Sequence, residues 1–126
     1  MDWLGYFVPR LAHRKPLFES LAPPHEDDLA QLEELRLEGS KRELPHPVRA
    51  FLDFPDEARA RLAMEMLIKD GYKVQLRMQA ADSWVVTAIT TLVPTVGTVT
   101  RLREVMKGIA GAFDGDYTGW GAPPVY

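Results

Sequence analysis

YKVQLRMQAADSWVVTAITTLV, residues 72–93, is the stretch on which the fold turns. Its first half alternates without a fault. Tyr72, Val74, Leu76 and Met78 point one way, and Lys73, Gln75, Arg77 and Gln79 the other. A period of two marks a strand, and the polar set gives that strand one wet face. AADS reads as a turn. WVVTAITTLV follows, rich in β-branched residues and apolar on both faces, as a central strand needs. The turn is too short for a crossover, so the two strands pair antiparallel.

Both flanks of this hairpin read as strand and helix. Upstream, VRAFLDF (residues 48–54) places Val48, Ala50, Leu52 and Phe54 on one face, with Arg49, Phe51 and Asp53 on the other. Pro55 ends that strand and opens a helix, PDEARARLAMEMLIKDG, which stops at Gly71. Asp56 and Glu57 suit its positive end and Lys69 its negative end. Ala58, Leu62, Met66, Ala63 and Leu67 are its expected buried face. Downstream, Pro94 ends the hairpin and Thr95 is an N-cap candidate. Val99, Leu102, Met106, Ile109 and Phe113 then recur at steps of three and four, which predicts a second amphipathic helix.

The order strand, helix, strand, strand, helix needs one more strand to become a split βαβ unit. FDGDYTGWGAPPVY, residues 113–126, is the segment left to supply it. The predicted fold class is therefore α+β: a ferredoxin-like βαββαβ two-layer sandwich. Glycine and proline in the last strand are tolerated if it lies at an edge. Residues 1–25 read as an N-terminal arm, interrupted by Pro16, Pro23 and Pro24. Residues 26–47 read as a short helix and a linker, with a Leu29, Leu32 and Leu35 stripe and Gly39 as the stop. Residues 48–126 are then the main domain.

Composition bounds the function. The chain has 126 residues, 46% apolar and 26% charged, which fits one ordinary globular domain. It has no cysteine, so disulfides and thiolate metal sites are excluded, and the reducing cytoplasm is the expected compartment. No apolar run reaches the roughly 18 residues that cross a bilayer. The net charge of −3 resides in residues 1–47, which hold six Lys/Arg and nine Asp/Glu; residues 48–126 hold nine of each. That balance does not resemble the basic footprint of a nucleic-acid binder. An acidic surface suits a basic protein partner instead.

Individual motifs weigh toward structure rather than chemistry. Asp114-Gly115-Asp116-Tyr117-Thr118-Gly119 resembles the opening of a calcium loop, but its twelfth position is Val125 where a bidentate Glu is needed. The better reading has Gly115 capping the helix, with Tyr117 and Trp120 anchoring the returning chain. His13, His25 and His46 show no metal-ligand spacing and are expected at the surface. His25-Glu26-Asp27-Asp28 fits a helix start better than a cation site. Asp53, Asp56 and Glu57 cluster at a strand–helix junction, where a helix start explains them better than acid–base chemistry. Phe51, Trp84 and Trp120 are the candidates for a base-stacking or small-ligand platform. Trp3, Leu4, Tyr6, Phe7, Val8 and Leu11 form an apolar cluster expected to pack on its own domain or on a second subunit.

Three stretches taken together carry a family resemblance: LEELRLEGSKRELPHPVRAFLDFPDEARA, SWVVTAI and GIAGAFDGDYTGWG. In order and spacing they resemble the RraB family, regulators of ribonuclease activity B, over about residues 29–122. The family's glycine-rich aromatic signature is matched by Tyr117, Gly119 and Trp120, with Thr118 in place of the usual Asp. The resemblance implies a ferredoxin-like fold, no active site and no cofactor. It also implies a protein partner, ribonuclease E or a component of its degradosome, whose RNA processing would be inhibited by direct binding. A homodimer is left open, and direct nucleic-acid contact is not expected. The residues expected at the partner surface are Asp116, Tyr117, Gly119 and Trp120, beside an exposed sheet or helix face. The competing reading is a small-ligand or RNA-binding module of the same fold.

Overall fold

The structure is a computed structural model, and it describes residues 19–126. The apolar cluster from Trp3 to Leu11, and His13, lie outside the described residues. The elements run α1 (Glu26–Leu37), β1 (His46–Phe54), α2 (Glu57–Lys69), β2 (Lys73–Ala80), β3 (Ser83–Leu92), α3 (Val96–Ala112) and β4 (Asp116–Gly121). The four strands form one antiparallel sheet in the order β2-β3-β1-β4. This is the ferredoxin-like arrangement: β1-α2-β2 and β3-α3-β4 interleave so that β1 and β3 meet at the centre. The tail supplies the last strand, so the calcium-loop pattern is taken up in a sheet edge.

Period-two alternation sorts the sheet into two faces. Val48, Ala50, Leu52 and Phe54 of β1 are buried beneath the helices, as their spacing predicts. Val86 and Ala88 of β3 join them there, with Val74 and Leu76 of β2 partly covered. α2 lies over β2 and β3, α3 over β1 and β4, and α1 against α3 and β4. α3 buries Val99, Leu102, Met106 and Ile109, with Phe113 packed at the margin. Thr95 caps it: its hydroxyl accepts from the Thr98 N–H at 3.0 Å, and the Thr98 hydroxyl accepts from the Thr95 N–H at 2.8 Å.

Several local expectations are corrected. α2 turns Ala60, Ala63 and Leu67 inward, and leaves Ala58, Leu62 and Met66 exposed. Two apolar faces compete on that helix, and small residues let it sit closer to the sheet. Pro55 lies before the cap rather than in the first turn. Asp56 is the N-cap, its carboxylate accepting from the Arg59 N–H at 2.9 Å. On α1, Leu32 and Leu35 are buried but Leu29 is exposed. His25 is itself the cap of α1, its Nδ1 accepting from the Asp27 N–H at 3.0 Å.

His46 was expected at the surface, and it is fully buried as the first residue of β1, which begins two residues before Val48. Its ring is acceptable there because both nitrogens have partners. Nδ1 donates to the Leu44 carbonyl at 2.7 Å, and Nε2 meets the Ser40 Oγ at 2.6 Å. The same hydroxyl accepts from the Val125 N–H at 2.8 Å, tying the chain end to the α1–β1 connection. After α3 it is Asp114, not Gly115, that takes the left-handed conformation, at φ 58°. Gly115 serves close approach instead: a Cβ there would lie 2.5 Å from the Phe54 ring and 2.6 Å from the Asp53 carbonyl.

Candidate functional site

Helices cover one face of the sheet; among the described residues the other is bare. Register fixes what this open face presents. One row across β2, β3 and β1 holds Lys73, Ile89 and Arg49; the next holds Gln75, Thr87 and Phe51; a third holds Arg77, Val85 and Asp53, with Asp116 of β4 beyond. Phe51, Asp53, Arg77, Gln79, Val85 and Thr118 line a shallow groove of about 270 Å³. Its two ends differ in charge, Arg77 at one and Asp53 with Asp116 at the other. Asp53 is held by the Ser83 hydroxyl, which donates to it at 2.8 Å.

The tail residues divide between the two faces. Asp116 is exposed beside Asp53, and Gly119 pairs with Phe51 at the left-handed φ of 135°, with open space where a side chain would stand. A bulge between these two pairs puts Thr118 over the groove, its hydroxyl donating to the Phe51 carbonyl at 3.2 Å. Tyr117 and Trp120 pair with Leu52 and Ala50 and so face the helices. Trp120 is 7% exposed, and its Nε1 donates to Asp28 at 3.1 Å.

That bond belongs to a polar network the sequence reading missed. Asp28 is 1% exposed, and both its oxygens accept from Arg103 of α3, from Nε at 2.9 Å and Nη2 at 3.0 Å. The Arg103 guanidinium lies 5.1 Å from the centroid of the Tyr117 ring. The bonded Asp28 carboxylate raises the Arg103 pKa further, holding the guanidinium charged. Burial first, and the Asp28 charge second, push the Tyr117 phenol well above its ordinary range. One carboxylate thus joins α1, α3 and β4 and seats the edge strand. Asp28 falls at the i, i+4, i+7 spacing of the buried Leu32 and Leu35, which is the signal that marks it as an inward acid.

The aromatic platform does not assemble. Trp84 pairs with Phe54 and packs with the core on the helix side, as does Trp120, whereas Phe51 is on the open face. Asp56 and Glu57, from the carboxylate cluster, are engaged with Arg59 and Arg61 along α2. The Arg59 N–H, aided by its guanidinium, holds the Asp56 carboxyl below its ordinary range against the opposing pull of desolvation. Among the described residues no group of three His, Cys, Asp or Glu side chains has the proximity to hold a metal ion.

Fold and face together define a ferredoxin-like α+β domain: a four-stranded sheet backed by helices on one side, with a mixed polar and aromatic face that no element among the described residues covers. The family model for RraB, Regulator of ribonuclease activity B, matches residues 25–122. The chain belongs to the RraB family, one of regulators of ribonuclease activity. The match spans α1 through β4, so the helix carrying Asp28 lies within the family unit. No curated protein matches the chain. Among the described residues no helix is long and apolar enough to cross a membrane.

Proposed function

We propose that this protein is a noncatalytic cytoplasmic regulator that binds a ribonuclease E-like endonuclease directly and restrains its RNA processing through the open sheet face. The observation that supports this reading is Phe51, an aromatic at the centre of a sheet face left uncovered among the described residues, in a chain of this family. Aromatic and arginine side chains supply most hot-spot energy in protein interfaces, and Phe51 and Arg77 share this groove. In this reading Asp116 and Gly119 touch the partner. Tyr117 and Trp120 act from behind, holding β4 in register.

The small-ligand or RNA-binding reading has less support. The groove of about 270 Å³ falls below the roughly 300–1,000 Å³ typical of small-molecule sites. Base stacking across the sheet needs several aromatics on one face, and the open face carries Phe51 without Trp84 or Trp120.

The test uses the full chain and a purified ribonuclease E-like enzyme from the same organism. Binding is read by surface plasmon resonance, and cleavage on a labelled RNA substrate. Saturable binding with slower cleavage is the expected result. Absence of both, at enzyme concentrations that cleave the substrate fully, overturns the reading.

A further inference from the structure

The two edges of the sheet are built differently. β4 carries Gly119 and Gly121, is bulged at Thr118, lies under α1 and runs into Pro123 and Pro124. Each of these features discourages another strand from adding there. β2 has eight residues, no proline or glycine, and among the described residues it pairs on one side only, with β3. Its outer margin is apolar on the helix side. Met78 is 58% exposed, and Ile68 of α2 is 55% exposed. Nine residues, two and a half helical turns, separate Ile68 from Arg59, which reaches Asp114 at the end of α3. Ile68 therefore stands on the opposite flank of α2, toward β2.

The sequence of β2 is complementary to itself. Turned antiparallel about Leu76, K73-V74-Q75-L76-R77-M78-Q79 sets Lys73 against Gln79, Gln75 against Arg77 and Val74 against Met78. Every cation meets an amide and every apolar side chain an apolar one, with both faces aligned. A dyad at Gln75 opposes Lys73 to Arg77, and one at Arg77 opposes Arg77 to itself, both unfavourable. A dyad at Val74 or Met78 avoids like charges but runs the strand into its flanking turns.

We propose that the protein forms a two-fold dimer by antiparallel pairing of β2 with β2 of a second copy, centred on Leu76, giving one eight-stranded sheet with a continuous open face. The occupant is a second copy because the charge pattern fits itself. The inference stands apart from the ribonuclease reading, and each can fail without the other.

Sedimentation equilibrium of the full chain tests it through Gln75, an exposed residue whose charge variants leave the core alone. A species of twice the 14.2 kDa chain mass is expected. In the proposed register Q75E faces Arg77 of the other copy twice, and Q75R repels it twice. The dimer dissociation constant should fall with Q75E and rise with Q75R, each by roughly two- to thirtyfold. With a dyad at Gln75 the sign for Q75E reverses. Because the chain has no cysteine, a mixture of Q75C and R77C proteins should also give a disulfide-linked species that neither forms alone. A monomer at all concentrations overturns the proposal, whether another segment of the chain or the ribonuclease covers β2. A dimer indifferent to Gln75, or one weakened by Q75E, overturns it equally.

Discussion

Asp28 and Arg103, 75 positions apart, meet through both carboxylate oxygens in a bidentate pair whose carboxylate is buried and whose arginine side chain is 16% exposed. The pair fastens α1 to α3, and the Trp120 indole completes it. Removing one partner of a buried pair leaves the other charge uncompensated. Asp28→Ala should therefore destabilise the fold by about 3–5 kcal/mol, a large share of an ordinary domain's stability. Asp28→Asn keeps an acceptor for Trp120 and should cost less. Urea denaturation gives both values, and amide exchange should show α1 opening first in the alanine variant. Equal protection of α1 in variant and wild type would contradict this account.

Tyr117 sits against the same pair, and its Oη has no hydrogen-bond partner among the described residues. Burial raises its folded pKa, so the unfolded chain loses this proton at a lower pH than the folded chain. The contribution is therefore intact below about pH 10, the ordinary phenol value, and is lost as pH climbs toward the raised folded value. Tyr117 should resist ionisation until the protein unfolds, read by phenolate absorbance as at least one of the four tyrosines delayed. Tyr117→Phe keeps the ring beside Arg103 and deletes the unpaired hydroxyl. It should stabilise the protein by up to about 1 kcal/mol and flatten the alkaline decline.

Asp56 supplies the acid counterpart. Its folded pKa is lowered, chiefly by the Arg59 backbone N–H at the start of α2. Its contribution is present above the ordinary Asp value of about 3.9 and is lost as pH falls through the lowered folded value. Asp56→Asn retains a capping side chain but cannot ionise, so its acid unfolding profile should be shallower than that of the wild type. A circular-dichroism titration of both proteins checks the difference in slope.

Two glycines should respond with opposite sign. Gly108 lies within α3, and an added Cβ meets nothing within 4 Å, so Gly108→Ala should stabilise by about 0.5–1 kcal/mol. Gly115→Ala forces a methyl against the Phe54 ring and the Asp53 carbonyl and should cost about 1–3 kcal/mol or more. Thermal melts of the pair decide whether Gly115 is held by contact, as argued above, or by cap conformation, which the φ of Asp114 already meets.

What was legible in the sequence was whatever depends on period. The alternation of residues 72–79 and the steps of three and four in α3 each gave one unambiguous face, and the β-branched run of residues 84–93, apolar on both faces, gave a central strand. Where two faces were apolar, as on α2, period could not choose between them, and closeness to the sheet did. Asp28 was obscured by Glu26 and Asp27, because three acids at a helix start already have an electrostatic reason to be there. Its role depends on Arg103 and Trp120, which only the fold brings near. Trp84 and Phe51 were paired as aromatics on neighbouring strands, yet the antiparallel register sets them on opposite sides of the sheet.

That separation makes the two aromatics a controlled comparison for the binding surface. Phe51 is only partly covered, at the centre of the open face, and its side chain supports no core cluster. Phe51→Ala should leave the melting profile nearly unchanged while weakening ribonuclease binding by at least about thirtyfold, as for an interface hot spot. Trp84 packs with the core beside Phe54, so Trp84→Ala should lower stability by a few kcal/mol, roughly the cost of truncating a packed aromatic. At a temperature where the variant stays folded, its ribonuclease affinity should match the wild type. A loss of binding in the tryptophan variant with Phe51→Ala unaffected would place the contact on the helix side and remove the open face from the mechanism.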